Sequence, residues 1–145
     1  MADYIHKELT EKIIGCFYTV YNKLGYGFLE KVYQRALVIE LQKAGLKVEE
    51  QKPIKVYYDK EVIGEFFADL IVEDLIIVEL KSTEAICEAH ENQLINYLKA
   101  TCNELGLLLN FGPSPQVKRK IATKKRLTTV SYIHDDTYKP NSYIK

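Results

Sequence analysis

At 145 residues the chain can bury one hydrophobic core, removing roughly 70% of its unfolded surface from water, and it is short for two. Its residues are 47% hydrophobic and 28% charged, the balance of a soluble globular protein. Twenty basic residues against 20 acidic ones leave no net charge, which counts against tight non-specific binding of nucleic acid by charge alone. The cysteines, Cys16, Cys87 and Cys102, are odd in number and have no metal-ligand or CxxC spacing, so a reduced, cytoplasmic compartment is expected. Acids and bases run through the first dozen residues, unlike a signal peptide. No apolar run approaches the roughly 18 residues of a membrane span, so no membrane partner is expected.

Along the chain, Leu9, Ile13, Ile14, Phe17, Val20, Tyr21 and Leu24 recur at helical spacing and predict an amphipathic helix over about His6–Leu24, closed by Gly25. A second helix, about Leu29–Ala44, is expected to bury Val32, Leu37, Ile39 and Leu41 and to end at Gly45 as a C-terminal cap. Three strands follow, at about Lys47–Tyr58, Val62–Val72 and Leu75–Lys81, with Asp59-Lys60 turning the first into the second. Pro53 marks the first of them as an edge strand or a bulged one. A helix over about Cys87–Cys102 leads to the apolar strand Leu105–Phe111, stopped by Gly112-Pro113. Weaker strands are expected at Val117–Ile121 and Leu127–Ile133. The reading is one domain over residues 1–137 with a loosely held tail over 138–145.

The unusual stretch is Phe66–Ser82, two apolar runs joined by Glu73-Asp74. It reads as a buried hairpin, yet it carries Asp69, Glu79 and Lys81, and an uncompensated carboxylate inside a sheet costs several kcal/mol. Glu79 and Lys81 are two apart on a strand and leave the same face. A two-residue turn at Glu73-Asp74 would put Asp69 opposite Val78 and away from Glu79. Convergence of the two carboxylates therefore requires a three-residue loop or a bulge, and that irregularity is expected here. Glu30 and Tyr33 share a face of the second helix, and His90, Gln93 and Tyr97 form one stripe on the third. Taken singly, Tyr33 and Tyr97 read as core residues with a satisfied hydroxyl, and Glu79 with Lys81 as a same-face ion pair.

Asp69 followed by Glu79-Leu80-Lys81 resembles the D…E-x-K signature of the PD-(D/E)XK nuclease superfamily. Gln93-Leu94-Ile95-Asn96-Tyr97 is similar to the Q-x-x-x-Y element of its exonuclease branch, and Gly27-Phe28-Leu29-Glu30-Lys31-Val32-Tyr33 to the motif that names its GxxExxY family. The likeness runs from about Ile13 to Ile121; Ala68 stands where the superfamily's name has proline. The resemblance implies an α/β (α+β) fold with a restriction-endonuclease-like core, a central mixed four-stranded β-sheet flanked by helices. It implies a metal-dependent nuclease that hydrolyses phosphodiester bonds, in DNA rather than RNA, with Mg²⁺ or Mn²⁺ as cofactor. Asp69, Glu79, the Leu80 carbonyl and Glu30 would be the metal ligands, such cations preferring hard oxygen donors. Lys81 would orient or deprotonate the attacking water or stabilise the phosphate, and Gln93 and Tyr97 would hold the metal's water or a substrate phosphate.

Beside the resemblance, Lys118–Arg126 holds six basic residues and no acidic one. Lys118, Arg119, Lys120, Lys124, Lys125 and Arg126 are the candidate track for a nucleic-acid backbone, a solvated strand face being the plainer reading. The rival functional reading is a nuclease fold that binds nucleic acid or protein without cutting, favoured by neutrality and small size. A structural oligomer subunit is a third reading, and the oligomeric state stays open between monomer and homodimer.

Overall fold

The computed structural model describes residues 5–122. Eight elements follow one another: α1 (Lys7–Leu24), α2 (Glu30–Lys43), β1 (Val48–Tyr58), β2 (Glu61–Val72), β3 (Ile76–Lys81), α3 (Glu88–Lys99), β4 (Leu105–Phe111) and β5 (Pro115–Ile121). The expected strand Leu127–Ile133 and the tail lie outside the described residues.

The strands form one sheet in chain order, β1 to β5, antiparallel everywhere except between β3 and β4. That parallel pair needs a long crossover, and α3 supplies it. The sheet therefore has five strands where four were expected. The fifth is β5, expected as a weaker strand over Val117–Ile121 but not as part of the central sheet; four of its seven residues are polar (Gln116, Lys118, Arg119, Lys120), yet it pairs with β4 along its whole length.

Helices cover both faces. On one, Ile13, Phe17 and Val20 of α1 and Tyr33, Leu37 and Leu41 of α2 close over Leu70, Val78, Leu107 and Leu109. On the other, Leu94 and Leu98 of α3 pack on Ile77, Leu108 and Ala68. Gly106 of β4 makes this second contact close, since a Cβ there would lie 2.7 Å from Leu94 Cδ1. Val32 and Ile39, expected in the core, are 41% and 53% exposed. The buried stripe of α2 runs through Tyr33, Leu37 and Leu41 at a spacing of four, and Val32 and Ile39 lie on the far side of it.

The connections obey their residues. α2 ends in a Schellman motif, with Leu46 N–H donating to Leu41 O, Gly45 N–H to Gln42 O, and Gly45 at φ 83°, where a glycine carries no penalty. Asp59 and Lys60 both have positive φ, as a two-residue hairpin loop of the sheet-twisting kind requires. Pro53 sits on the edge strand, as expected.

Tyr33 joins the α1–α2 turn to the core. Its ring stacks on Phe111 with centroids 4.4 Å apart, and its hydroxyl donates to Gly25 O at 2.6 Å and accepts from Phe28 N–H at 3.2 Å. Tyr33 is thus a structural residue. Removing one hydroxyl orphans two backbone groups, so Tyr33→Phe is expected to lower stability by about 1–2 kcal/mol. Urea unfolding should show a lower midpoint with an unchanged slope.

Candidate active site

Side chains alternate along a regular strand, so residues of one parity share a face. In β2 this fails beside Asp69, apart from a bulge near the far end of the strand where the register shifts between Val56 and Tyr57 of β1. Phe66 and Ala68 pack on the α3 side, whereas Leu70 and Val72 pack under α1 and α2. β1 shows the same break, with Val48 on the α1–α2 side and Ile54 and Val56 on the α3 side. Both breaks fall at one rung. The ladder pairs Glu50 with Leu70 and Lys52 with Ala68, and it omits Gln51, whose φ is 50°, and Asp69 between them. This is a paired irregularity at which both strands change phase.

The hairpin of β2 and β3 adds the second condition. Val72 pairs with Ile76, so the connection is the three residues Glu73, Asp74 and Leu75. Glu73 and Asp74 adopt positive φ, and Lys47 fastens the turn through its N–H to Glu73 Oε2 and its Nζ to Asp74 Oδ2. In this register the rung after Leu70–Val78 sets Asp69 against Glu79. Carboxylates replace the backbone bonds there. Asp69 N–H donates to Glu79 Oε2 at 2.8 Å, and Leu80 N–H donates to Asp69 Oδ2 at 2.9 Å. Each acid is held by the other's strand.

Glu79 is only 7% exposed. Burial, and then the charge of Asp69, push its carboxyl up to about 8, against the opposing pull of the Asp69 N–H and Lys81; Glu30 adds to the upward push. Lys81, half-buried at the end of β3, is therefore within electrostatic reach, as is Glu30, exposed at the first position of α2. Tyr97 comes from α3. Its phenol is raised by burial and then by Glu79 and Asp69, and its ring stacks on Phe66 with centroids 3.6 Å apart. Gln93 is exposed one turn earlier on α3, and among the described residues no hydrogen bond ties it to the two acids. His90 caps the start of α3, its Nδ1 accepting the Cys87 N–H at 3.2 Å.

The basic stretch divides. Arg119 donates to Ile5 O at 2.8 Å, Lys120 is paired with Glu91, whose carboxyl it holds below the usual range, and Lys118 is exposed. Lys124, Lys125 and Arg126 lie outside the described residues. Two surface cavities of about 480 and 270 Å³ gather around His6 and Leu75 at the turn end of the hairpin, and neither is lined by Asp69 or Glu79.

Three residues at the site had no expected role. Asn110, fully buried and opposite Lys81 in register, binds the backbone N–H and C=O of Thr83, both at 3.0 Å, and so fixes the chain just past Lys81. Gln34, 4% exposed, accepts from Gln51 Nε2 at 3.1 Å, and the same nitrogen donates to Asp69 Oδ1 at 3.3 Å. Gln34 had a signal, being a polar residue on the buried stripe of α2 and four residues after Glu30. Gln51 had none inside the polar run Glu49-Glu50-Gln51-Lys52.

Among the described residues no group of three or more His, Cys, Asp or Glu forms a ready metal cluster. The donor set nevertheless suits a hard cation. Two carboxylates face one another, a third is nearby, and the burial and the Asp69 charge that push the Glu79 carboxyl up are what a divalent charge would offset.

A model of the PD-(D/E)XK nuclease superfamily matches residues 7–122, most of the chain. The chain belongs to that superfamily, and its mixed sheet flanked by helices is consistent with the superfamily's fold. No curated protein and no solved structure matches it. Among the described residues no helix is long and apolar enough to cross a membrane.

The Glu79 shift fixes a sign. Without a cation the folded chain keeps a proton on Glu79 that the unfolded chain releases, so the associated stability is full below about 4.5 and is lost as pH rises through about 8. Urea unfolding in a chelator should show stability falling across this range, and Glu79→Gln should flatten the fall.

Proposed function

We propose that this chain is a divalent-cation-dependent nuclease of the GxxExxY type that hydrolyses phosphodiester bonds. The observation that carries the reading is the crossed pair Asp69 and Glu79 with Lys81 beyond it on the same strand. Asp69 and Glu79 would hold Mg²⁺ or Mn²⁺, with the Leu80 carbonyl and Glu30 as further ligands, and the cation would supply Lewis-acid charge neutralisation and acidify water. Before it can serve as a ligand, Glu79 must release the proton that burial keeps on it. Lys81, whose ammonium has three donors, would orient the attacking water or meet the charge that grows on the phosphate. The Tyr97 phenol stays neutral, so it can donate to a water or a phosphate oxygen, with Gln93 one turn before it along the same helix. DNA rather than RNA is the proposed substrate, on the resemblance alone.

Arg119 and Lys120 already hold partners within the protein, so a nucleic-acid backbone on the Lys118–Lys120 track would compete with Ile5 O and Glu91 for them. The balanced charge and small size favour the second reading, a module that binds nucleic acid or protein without cutting. One assay separates them. Single- and double-stranded DNA and RNA are incubated with purified wild type, Asp69→Ala and Glu79→Ala in Mg²⁺ or Mn²⁺. Cleavage by wild type and none by either folded variant is expected. Full activity in both variants contradicts the assignment, and salt-sensitive binding without products at any cation concentration favours the module.

A further inference from the structure

Gln51 is the residue at which β1 leaves regular strand geometry, and neither the superfamily signature nor the mechanism above uses it. Its φ of 50° is a conformation that a residue with a Cβ disfavours, and it occurs in the middle of an 11-residue strand. The Nε2 of Gln51 carries two protons, and both find acceptors, Gln34 Oε1 at 3.1 Å and Asp69 Oδ1 at 3.3 Å. Gln34 passes its own Nε2 to Glu50 Oε1 at 3.2 Å, and Glu50 Oε2 is held by Arg35. Carboxylates only accept, so Asp69 at one end and Glu50 at the other fix which way both amides point. The row ends on the carboxylate whose second oxygen already accepts the Leu80 N–H.

We infer that Gln51, steadied by the buried Gln34, is a positioning residue that holds Asp69 by its Oδ1 at the angle where it crosses to the strand of Glu79. The left-handed backbone takes Gln51 out of the ladder and aims its amide at Asp69 and α2 together. An asparagine would fall one methylene short, a glutamate would face Asp69 with a like charge, and a leucine would leave both Asp69 Oδ1 and Gln34 Oε1 without this donor. The consequence for cation binding rests on the nuclease reading; the hold on Asp69 does not.

Two substitutions separate the amide from the backbone. Gln51→Gly keeps the left-handed conformation without strain and removes the amide, and Gln51→Leu removes the donor while keeping bulk. The first readout is hydrogen exchange of the Leu80 amide in metal-free protein, because only a held Asp69 protects it. In both variants Leu80 is expected to exchange at least about tenfold faster, with other β3 amides unchanged, and Mn²⁺ affinity measured by calorimetry to fall about tenfold, the usual effect of losing a group that orients a ligand. If Gln51→Leu does not fold, Gln51→Gly carries the test. Leu80 exchange within twofold of wild type, or undiminished Mn²⁺ affinity in Gln51→Gly, overturns the inference. A wild type that binds no Mn²⁺ contradicts the nuclease reading instead, and Leu80 exchange still decides Gln51.

Discussion

Where β2 and β3 part company, each strand offers the other a carboxylate in place of a carbonyl: Glu79 accepts the Asp69 N–H and Asp69 accepts the Leu80 N–H. Two acids of like charge are thereby locked side by side at the end of a ladder, one of them almost wholly out of water. In such surroundings the charged form is penalised twice, by desolvation and by the neighbour, and the buried partner keeps its proton. The arrangement is tolerable because every inner oxygen named here has a backbone donor. In the reading proposed above, a divalent cation takes the place of that proton.

Much of the fold serves that crossing. The three-residue turn at Glu73–Leu75 sets the register that brings Asp69 opposite Glu79, and Lys47 ties the turn down. The break in phase at Gln51 and Asp69 lets the strands remain paired on both sides while the acid leaves the pleat. α2 brings Glu30 and Gln34 from one side, α3 brings Tyr97 from the other, and Asn110 of β4 steadies the chain after Lys81. A stretched turn, a regular strand or a shifted helix would each pull this site apart without removing any acid from it.

The sequence was most legible where periodicity and punctuation agree. Leu105–Phe111 emerged with the boundaries expected of a wholly apolar run stopped by Gly112-Pro113, and α1 and α2 differ from expectation by a residue at an end. The need for an irregular connection at Glu73-Asp74 followed from parity alone, and a three-residue turn is what the structure has. Misses have physical causes. The expected sheet fell one strand short because β5, read only as a weaker strand, is polar, and its place in the sheet comes from pairing with β4. Val32 and Ile39 are apolar yet outside the stripe that tertiary packing selected. Partners are a different matter from misses: Arg119 and Lys120 count only as basic in a sequence, and the fold adds that Ile5 O and Glu91 contact them. Gln51 is one polar residue in a polar run, and its meaning comes from a backbone conformation no composition announces.

The proposal stands or falls on whether Asp69 and Glu79 form one cation-binding unit. Calorimetric titration of Mn²⁺ and Mg²⁺ into the purified protein and into Asp69→Ala tests it most directly. One binding event is expected in wild type, in the micromolar to millimolar range of such oxygen sites. Below about pH 8 it should release a proton as Glu79 ionises, and it should be absent from Asp69→Ala. Equal binding by both proteins, or binding with no proton released at pH 6, would contradict it.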